Sequence, residues 1–321
     1  MTQDDVTRDL LRSVSRTFYL SVHILPAALR EIMGVAYLLA RTSDTIADAE
    51  GAPIATRLRR LLDFGTIIQA GRNPVAVASI QRDIKPGDKG EAALIAALPV
   101  VIERFGSFKP WEWKETQDLL NNIVRGQTND LRTFHDPENV IPLPDADSLT
   151  DYIYLVAGCV GEWWTRVCLH SFPNYSRIPE RDLVPFAAAF GKGLQLVNIL
   201  RDMPVDLRAG RCYLPEDELR EAGIDVGLLR ELPATAQPVF DRWLAKARTY
   251  LDQGREYILA IRPWRVRIAC YIPWKLAVRT LDLMSVTSPL DETGKVKVAR
   301  SAVYGTILRS LLAAVSNKAV T

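Results

Sequence analysis

The chain has 321 residues, 48% of them hydrophobic and 24% charged, the proportions of a globular protein with a large core. Its net charge of +2 is too small to argue for a nucleic-acid partner. Four cysteines (Cys159, Cys168, Cys212, Cys270) without CxxC or finger spacing read as reduced thiols of a cytoplasmic protein, and three histidines argue against a histidine-built metal site.

The N-terminal stretch, MTQDDVTRDLLRSV, is acidic and polar, unlike a signal peptide. Thr7 to Leu20 opens with a helical segment ending in SRTFYL. Pro26 suits a helix start, and Ala27 to Ala49 reads as one long buried helix closed by Gly51, Ala52 and Pro53. A further helix covers Ile54 to Ala70. Gly71 to Gly90 is rich in turn signals and reads as loop. Helical character resumes over Glu91 to Phe105 and Trp111 to Leu131.

Phe134 to Asp147 reads as a proline-bearing loop, and Ser148 to His170 as a helix. Its small residues Ala157, Gly158 and Gly161 would let another backbone or a ligand come close. Ile178 to Arg208 is helical, with Pro204 expected to kink or end it near Met203. A short helix and turn over Pro215 to Arg230 follow. Ala234 to Ile261 and Trp264 to Met284 are long helices, the second with a kink expected at Pro273. A last helix starts near Lys297, and Ser301 to Ala314 is amphipathic, either packing on the domain or resting on a membrane surface. No β pattern, repeat or run of about 18 apolar residues stands out. The reading is one all-α domain over residues 1–321.

Two stretches carry the chemistry. In YLLARTSDTIAD, Tyr37, Arg41, Asp44 and Asp48 step by four, three and four, so a helix places them on one face. Arg41 can offset only one of the two negative charges, and a hard divalent cation is the natural filler. In QLVNILRDMPVDLRAGRCYLP, Asp202 and Asp206 repeat the pair, with Asn198 one turn earlier, Arg201 alongside and Arg208 and Arg211 downstream. One such pair is commonly a solvated helix face. Two pairs, each set among apolar residues with an arginine before the first aspartate, would hold metal ions around a pyrophosphate if they faced each other.

These motifs resemble those of the squalene and phytoene synthases, from Ser15 to the KVKVAR segment at Lys295. The family's YxxxRxxDxxxD is matched by Tyr37, Arg41, Asp44 and Asp48. Its QxxNIxRDxxxD and GRxYLP are matched by Gln195, Asn198, Arg201, Asp202, Asp206, Gly210, Arg211 and Tyr213. Its central helix is matched by Tyr152, Ala157, Gly158, Val160 and Gly161. The resemblance implies an isoprenoid synthase fold, helices around a deep central cavity. It also implies head-to-head joining of two farnesyl or geranylgeranyl diphosphates, carbon one to carbon one. Asp44, Asp48, Asn198, Asp202 and Asp206 would hold Mg²⁺ or Mn²⁺. Ser15, Arg16, Phe18, Tyr37, Arg41, Asp130, Gln195, Asn198, Arg201 and Arg211 would contact substrate, and Tyr152 would assist proton loss or the second ionisation.

Within that family, Cys270, Ile272 and Pro273 resemble a squalene-type segment, and Lys295, Lys297 and Arg300 resemble a strip for the NADPH phosphate. These favour farnesyl diphosphate as substrate and squalene as product. Phytoene, dehydrosqualene and hydroxysqualene synthases, which need no reductant, are the alternatives, and an inactive lipid-binding or assembly relative is the non-enzyme rival. No nucleic acid is implied. Peripheral membrane contact for product release, and a monomer or a homodimer, are compatible with the chain. Val205 and Pro204 depart from the family pattern: a glutamate is common where Val205 stands.

Overall fold

In the computed structural model, which describes residues 3–15, 22, 24–49 and 51–290, Pro26 holds an extended backbone (φ −54°, ψ 146°) and the helix begins right after it. The described chain is almost wholly helical and divides into two units, residues 1–132 with 166–173, and residues 133–165 with 174–321.

The first unit holds α1 (Gln3–Val14), α2 (Ala27–Ala47), α3 (Ile54–Ala70), α4 (Pro74–Asp83), α5 (Lys89–Ala96), α6 (Leu98–Gly106) and α7 (Pro110–Thr133). Helix α2 stops two residues short of the expected Ala49, and Asp48 caps it, its backbone N–H donating to the Asp44 carbonyl at 2.8 Å. Arg57 from α3 donates to the Ala47 carbonyl at 2.9 Å, satisfying one of the acceptors a helix end leaves over. The stretch read as loop over 71–90 contains α4 and the start of α5. Asn73 accepts from the Ala76 N–H and precedes Pro74 at the first position, and Asp88 caps α5, so local caps outweigh the turn residues there. Leu38, Leu39 and Ile46 of α2 pack with Leu61, Phe64 and Ile67 of α3 and with Leu98 and Phe105 of α6, all fully buried. Each such side chain contributes about 1.5–3 kcal/mol.

The second unit holds β1 (Ile141–Leu143), α8 (Ala146–Ile153), a π-helical turn (Tyr154–Gly158), α9 (Cys159–Ser171, of which residues through Thr165 belong here), α10 (Glu180–Arg208), β2 (Arg211–Pro215), α11 (Glu216–Glu221), α12 (Gln237–Ala260) and α13 (Trp264–Met284). The two strands were not expected. They pair in parallel, Ile141 with Arg211 and Pro142 with Cys212, and a bulge follows. Gly210 makes the turn into β2 at φ +79°, and an added Cβ there would lie 2.7 Å from the Asn139 carbonyl, so only glycine fits.

Helix α10 runs through Pro204 to Arg208 and does not end at Met203. Pro204 lies within four residues of the terminus, so little helix remains beyond it to be lost. The small residues of the π turn and α9 meet another backbone, as one of the two expected readings held. A Cβ on Gly161 would stand 2.0 Å from the Ala187 carbonyl, and one on Gly191 2.2 Å from that of Ala157. By length and composition α10 could cross a membrane, but 61% of its apolar window is buried within the protein, as in a core helix. Trp163 and Trp274 are core residues, whereas Trp264 is 49% exposed at the start of α13.

Candidate active site

In the first unit, the last turns of α2 bring Tyr37, Arg41, Asp44 and Asp48 onto one stripe, with Asp48 exposed beyond the helix end. Ser15 hydrogen-bonds Tyr37, whose hydroxyl pKa is raised chiefly by burial. Arg41 sends Nη2 to Glu91 of α5, and its Nη1 lies 3.7 Å from Asp44 Oδ2. The buried Arg41 Nε finds no acceptor among the described residues. Gln127 of α7 donates from Nε2 to Asp44 Oδ1 at 2.5 Å, and Ser43 donates to Gln127 Oε1.

Asp44 keeps 43% of its side-chain surface exposed, so it borders solvent, yet the protein crowded around it pushes its carboxyl up to about 6. Desolvation is the main cause and the like charge of Asp48 adds to it, while Arg41 and Gln127 act the other way.

Asp130 is half-buried on α7, three residues from Gln127 and on the same side of that helix. Glu91 and Gln127 escaped the sequence reading. The resemblance singles out Asp130, three residues further along the same helix. The i,i+3 relation to it was the one signal that could have found Gln127. Arg16, Phe18, Lys295, Lys297 and Arg300 lie outside the described residues.

In the second unit, Gln195, Asn198, Asp202 and Asp206 step along α10 by three, four and four. Asn198 is exposed, and Gln195 and Asp206 are half-buried. Arg201 clasps Asp202, Nε to Oδ1 at 2.9 Å and Nη2 to Oδ2 at 2.6 Å, and this pairing raises the arginine's pKa further. Strand β2 delivers the half-buried Arg211 and the buried Tyr213. Burial pushes the thiol of Cys212 up to about 12, and the charge of Asp206 adds to the shift. The Tyr213 ring stacks on Tyr152 of α8 with centroids 5.0 Å apart, and Tyr152 Oη donates to Tyr213 Oη at 3.4 Å. Phe134 meets Tyr213 edge-on at 5.0 Å. The second unit thus groups Tyr152, Tyr213, Arg211 and Asp206.

Both carboxylate pairs sit at the C-terminal ends of long helices. That end of the helix dipole is negative, so carboxylates there reduce stability instead of adding to it. A cation partner removes the conflict. The donors are all oxygens: two carboxylates a turn apart in each unit, with Asn198 in the second. Such a set fits a hard divalent cation that keeps several waters and shares phosphate oxygens. Among the described residues no three or more His, Cys, Asp or Glu side chains converge.

A family model described as Squalene/phytoene synthase matches residues 11–301. The presqualene diphosphate synthase of Zymomonas mobilis is 31% identical over 301 residues, covering 92% of this chain and 89% of that protein. The bifunctional lycopene cyclase/phytoene synthase of Neurospora crassa is 28% identical over 322 residues, with 94% and 51% covered. Phytoene synthase 3 of Zea mays is 28% identical, with 77% and 51% covered. The chain therefore spans about half the length of these last two curated relatives. In fold, it superimposes on a solved structure of TcSQS with the ligand BPH1237 at a TM-score of 0.78, with 21% identity and 98% and 89% of the chains covered. A dehydrosqualene synthase structure follows at 0.64, with 21% identity and 98% and 97% covered. The chain belongs to the squalene/phytoene synthase family.

Proposed function

We propose that this protein joins two farnesyl diphosphates head to head, through presqualene diphosphate, and reduces the second cation with NADPH to give squalene. One observation carries the reading. Each unit places an arginine-flanked carboxylate pair, one helical turn apart, at the unfavourable end of a long helix. The presqualene diphosphate synthase relative, most of whose length is matched, favours the C15 substrate.

In this scheme Asp44 and Asp48, and Asp202 and Asp206 with Asn198, hold Mg²⁺ or Mn²⁺. The bound cation supplies positive charge to the departing pyrophosphate. Arg41, anchored by Glu91 and beside Asp44, lends its positive charge to the phosphate oxygens. Arg201 and Arg211 bind further phosphate oxygens, and Arg201 must then share or release Asp202. Loss of pyrophosphate from one substrate leaves an allylic cation, which the double bond of the second attacks. The released pyrophosphate takes up a proton and the cyclopropyl diphosphate forms. The hydroxyl of Tyr152, backed by that of Tyr213, accepts a hydrogen bond near this proton or steadies the second ionisation. The second pyrophosphate leaves, the skeleton rearranges, and hydride from NADPH closes the reaction. The basic residues 295, 297 and 300 are the candidates for binding NADPH. A cytoplasmic enzyme releasing its hydrocarbon at a membrane surface completes the proposal.

A second reading, a product made without reductant, is favoured by the phytoene synthases among the relatives. Incubating the purified protein with Mg²⁺ and either farnesyl or geranylgeranyl diphosphate, with and without NADPH, separates the two. Squalene formed only with NADPH supports the first reading. Dehydrosqualene or hydroxysqualene formed regardless of NADPH supports the second. Consumption of geranylgeranyl diphosphate alone moves the substrate to C20, and consumption of neither overturns both.

A further inference from the structure

Gln127 is 9% exposed, and Ser43, next to Asp44 on α2, is fully buried. The orientation of the Gln127 amide follows from its two partners. Only its nitrogen can donate to the Asp44 carboxylate at 2.5 Å, which turns its oxygen to the Ser43 hydroxyl. A flipped amide would set two acceptor oxygens against each other at Asp44. Asp44 Oδ1 is thereby engaged. Among the described residues, its Oδ2 has the looser contact with Arg41 at 3.7 Å, and Arg41 is itself tied to Glu91.

We propose that Ser43 and Gln127 form a positioning relay that fixes the rotation of the Asp44 carboxylate and presents Oδ2 to the divalent cation. This rests on the reading of Asp44 as a metal ligand. Neither Ser43 nor Gln127 touches the cation or the substrate. They act through Asp44, as partners behind a ligand do when they set its angle and basicity. Ser43 matters because its hydroxyl satisfies the buried amide oxygen; without it the amide is held by Asp44 alone and its angle to the carboxylate is less tightly set.

The test is Mn²⁺ binding to the full-length protein with inorganic pyrophosphate, followed by electron paramagnetic resonance, together with the Mg²⁺ dependence of turnover. Gln127→Met keeps the side-chain volume and removes the hydrogen bonds. It is expected to weaken Mn²⁺ binding about 10-fold or more and to raise the half-saturating Mg²⁺ by a similar factor, with kcat at saturating Mg²⁺ changed much less. Ser43→Ala is expected to shift both in the same direction by a smaller factor. A merely structural role would lower the amount of folded protein and leave metal affinity alone. Wild-type Mn²⁺ affinity in Gln127→Met, alongside weakened binding in Asp44→Ala, overturns the relay and leaves the ligand reading standing. Should Gln127→Met fail to fold, Ser43→Ala decides by the same criterion. If Asp44→Ala binds Mn²⁺ as the wild type does, the ligand reading falls and the relay with it.

Discussion

Arg201 grips Asp202 through two parallel hydrogen bonds, at 2.9 and 2.6 Å. The planar guanidinium fork matches the carboxylate, and a lysine cannot reproduce it. Arg201→Lys keeps the charge and loses the fork. We expect kcat/KM for the prenyl diphosphate to fall about 10–100-fold, with a melting temperature close to that of the wild type because the pair is half-exposed and the lysine keeps its charge. Unchanged steady-state kinetics in this variant would remove Arg201 from the substrate site.

Asp44 predicts a conflict between stability and activity. Its folded-state pKa is raised from 3.8 to about 6 without metal. Between these values the folded state holds more protons than the unfolded state, so stability falls as pH rises through that window. Above pH 6 the cost of the buried charge is fully present. Asp44→Asn removes it. The metal-free variant should therefore be more stable than the wild type at pH 7–8, by about 1 kcal/mol after allowing for the solvent access of the side chain. The gain should vanish below pH 4, while catalysis is lost. Denaturant titrations at pH 4 and pH 8 measure it, and a variant less stable at pH 8 contradicts the assigned cause.

Gly161 and Gly191 mark where the π turn and α9 lie against α10. With a Cβ placed 2.0 Å from the Ala187 carbonyl, Gly161→Ala must push two backbones apart. The expected loss is at least about 2 kcal/mol, read from urea unfolding. Gly65→Ala, with nothing within 4 Å, should be neutral or slightly stabilising.

Tyr152 and Tyr213 share a stacked pair with a hydroxyl contact at 3.4 Å. Tyr152→Phe should lower kcat about 100-fold. Tyr213→Phe keeps the stack and should lower kcat about 3–10-fold, with a stability change under about 1 kcal/mol. Equal kcat in Tyr213→Phe and wild type would reduce Tyr213 to a packing residue.

What was legible in the sequence was local. Four-residue steps at Asp44/Asp48 and Asp202/Asp206 announce shared helix faces, and Pro26 announces a helix start, because helical geometry relates near neighbours. Glu91 reaches Arg41 from 50 residues away and Gln127 reaches Asp44 from 83, and no local period encodes such contacts. The pairing of β1 with β2 is hidden for the same reason: strands of three and five residues carry too little alternation to be seen. The 71–90 stretch was misread because Asn73-Pro74 and Asp88 serve as helix caps as readily as turn residues.

The central claim, that two prenyl diphosphates are joined head to head, is tested most directly with farnesyl diphosphate labelled with ¹³C at carbon one. The protein, Mg²⁺ and NADPH are supplied, and the hydrocarbon is examined by NMR. The account predicts a C30 product with all label in its two central methylene carbons, which are equivalent by symmetry and give one enhanced signal at the central-methylene position. Label confined to C15 alcohols, or to carbons that are not neighbours, would contradict it.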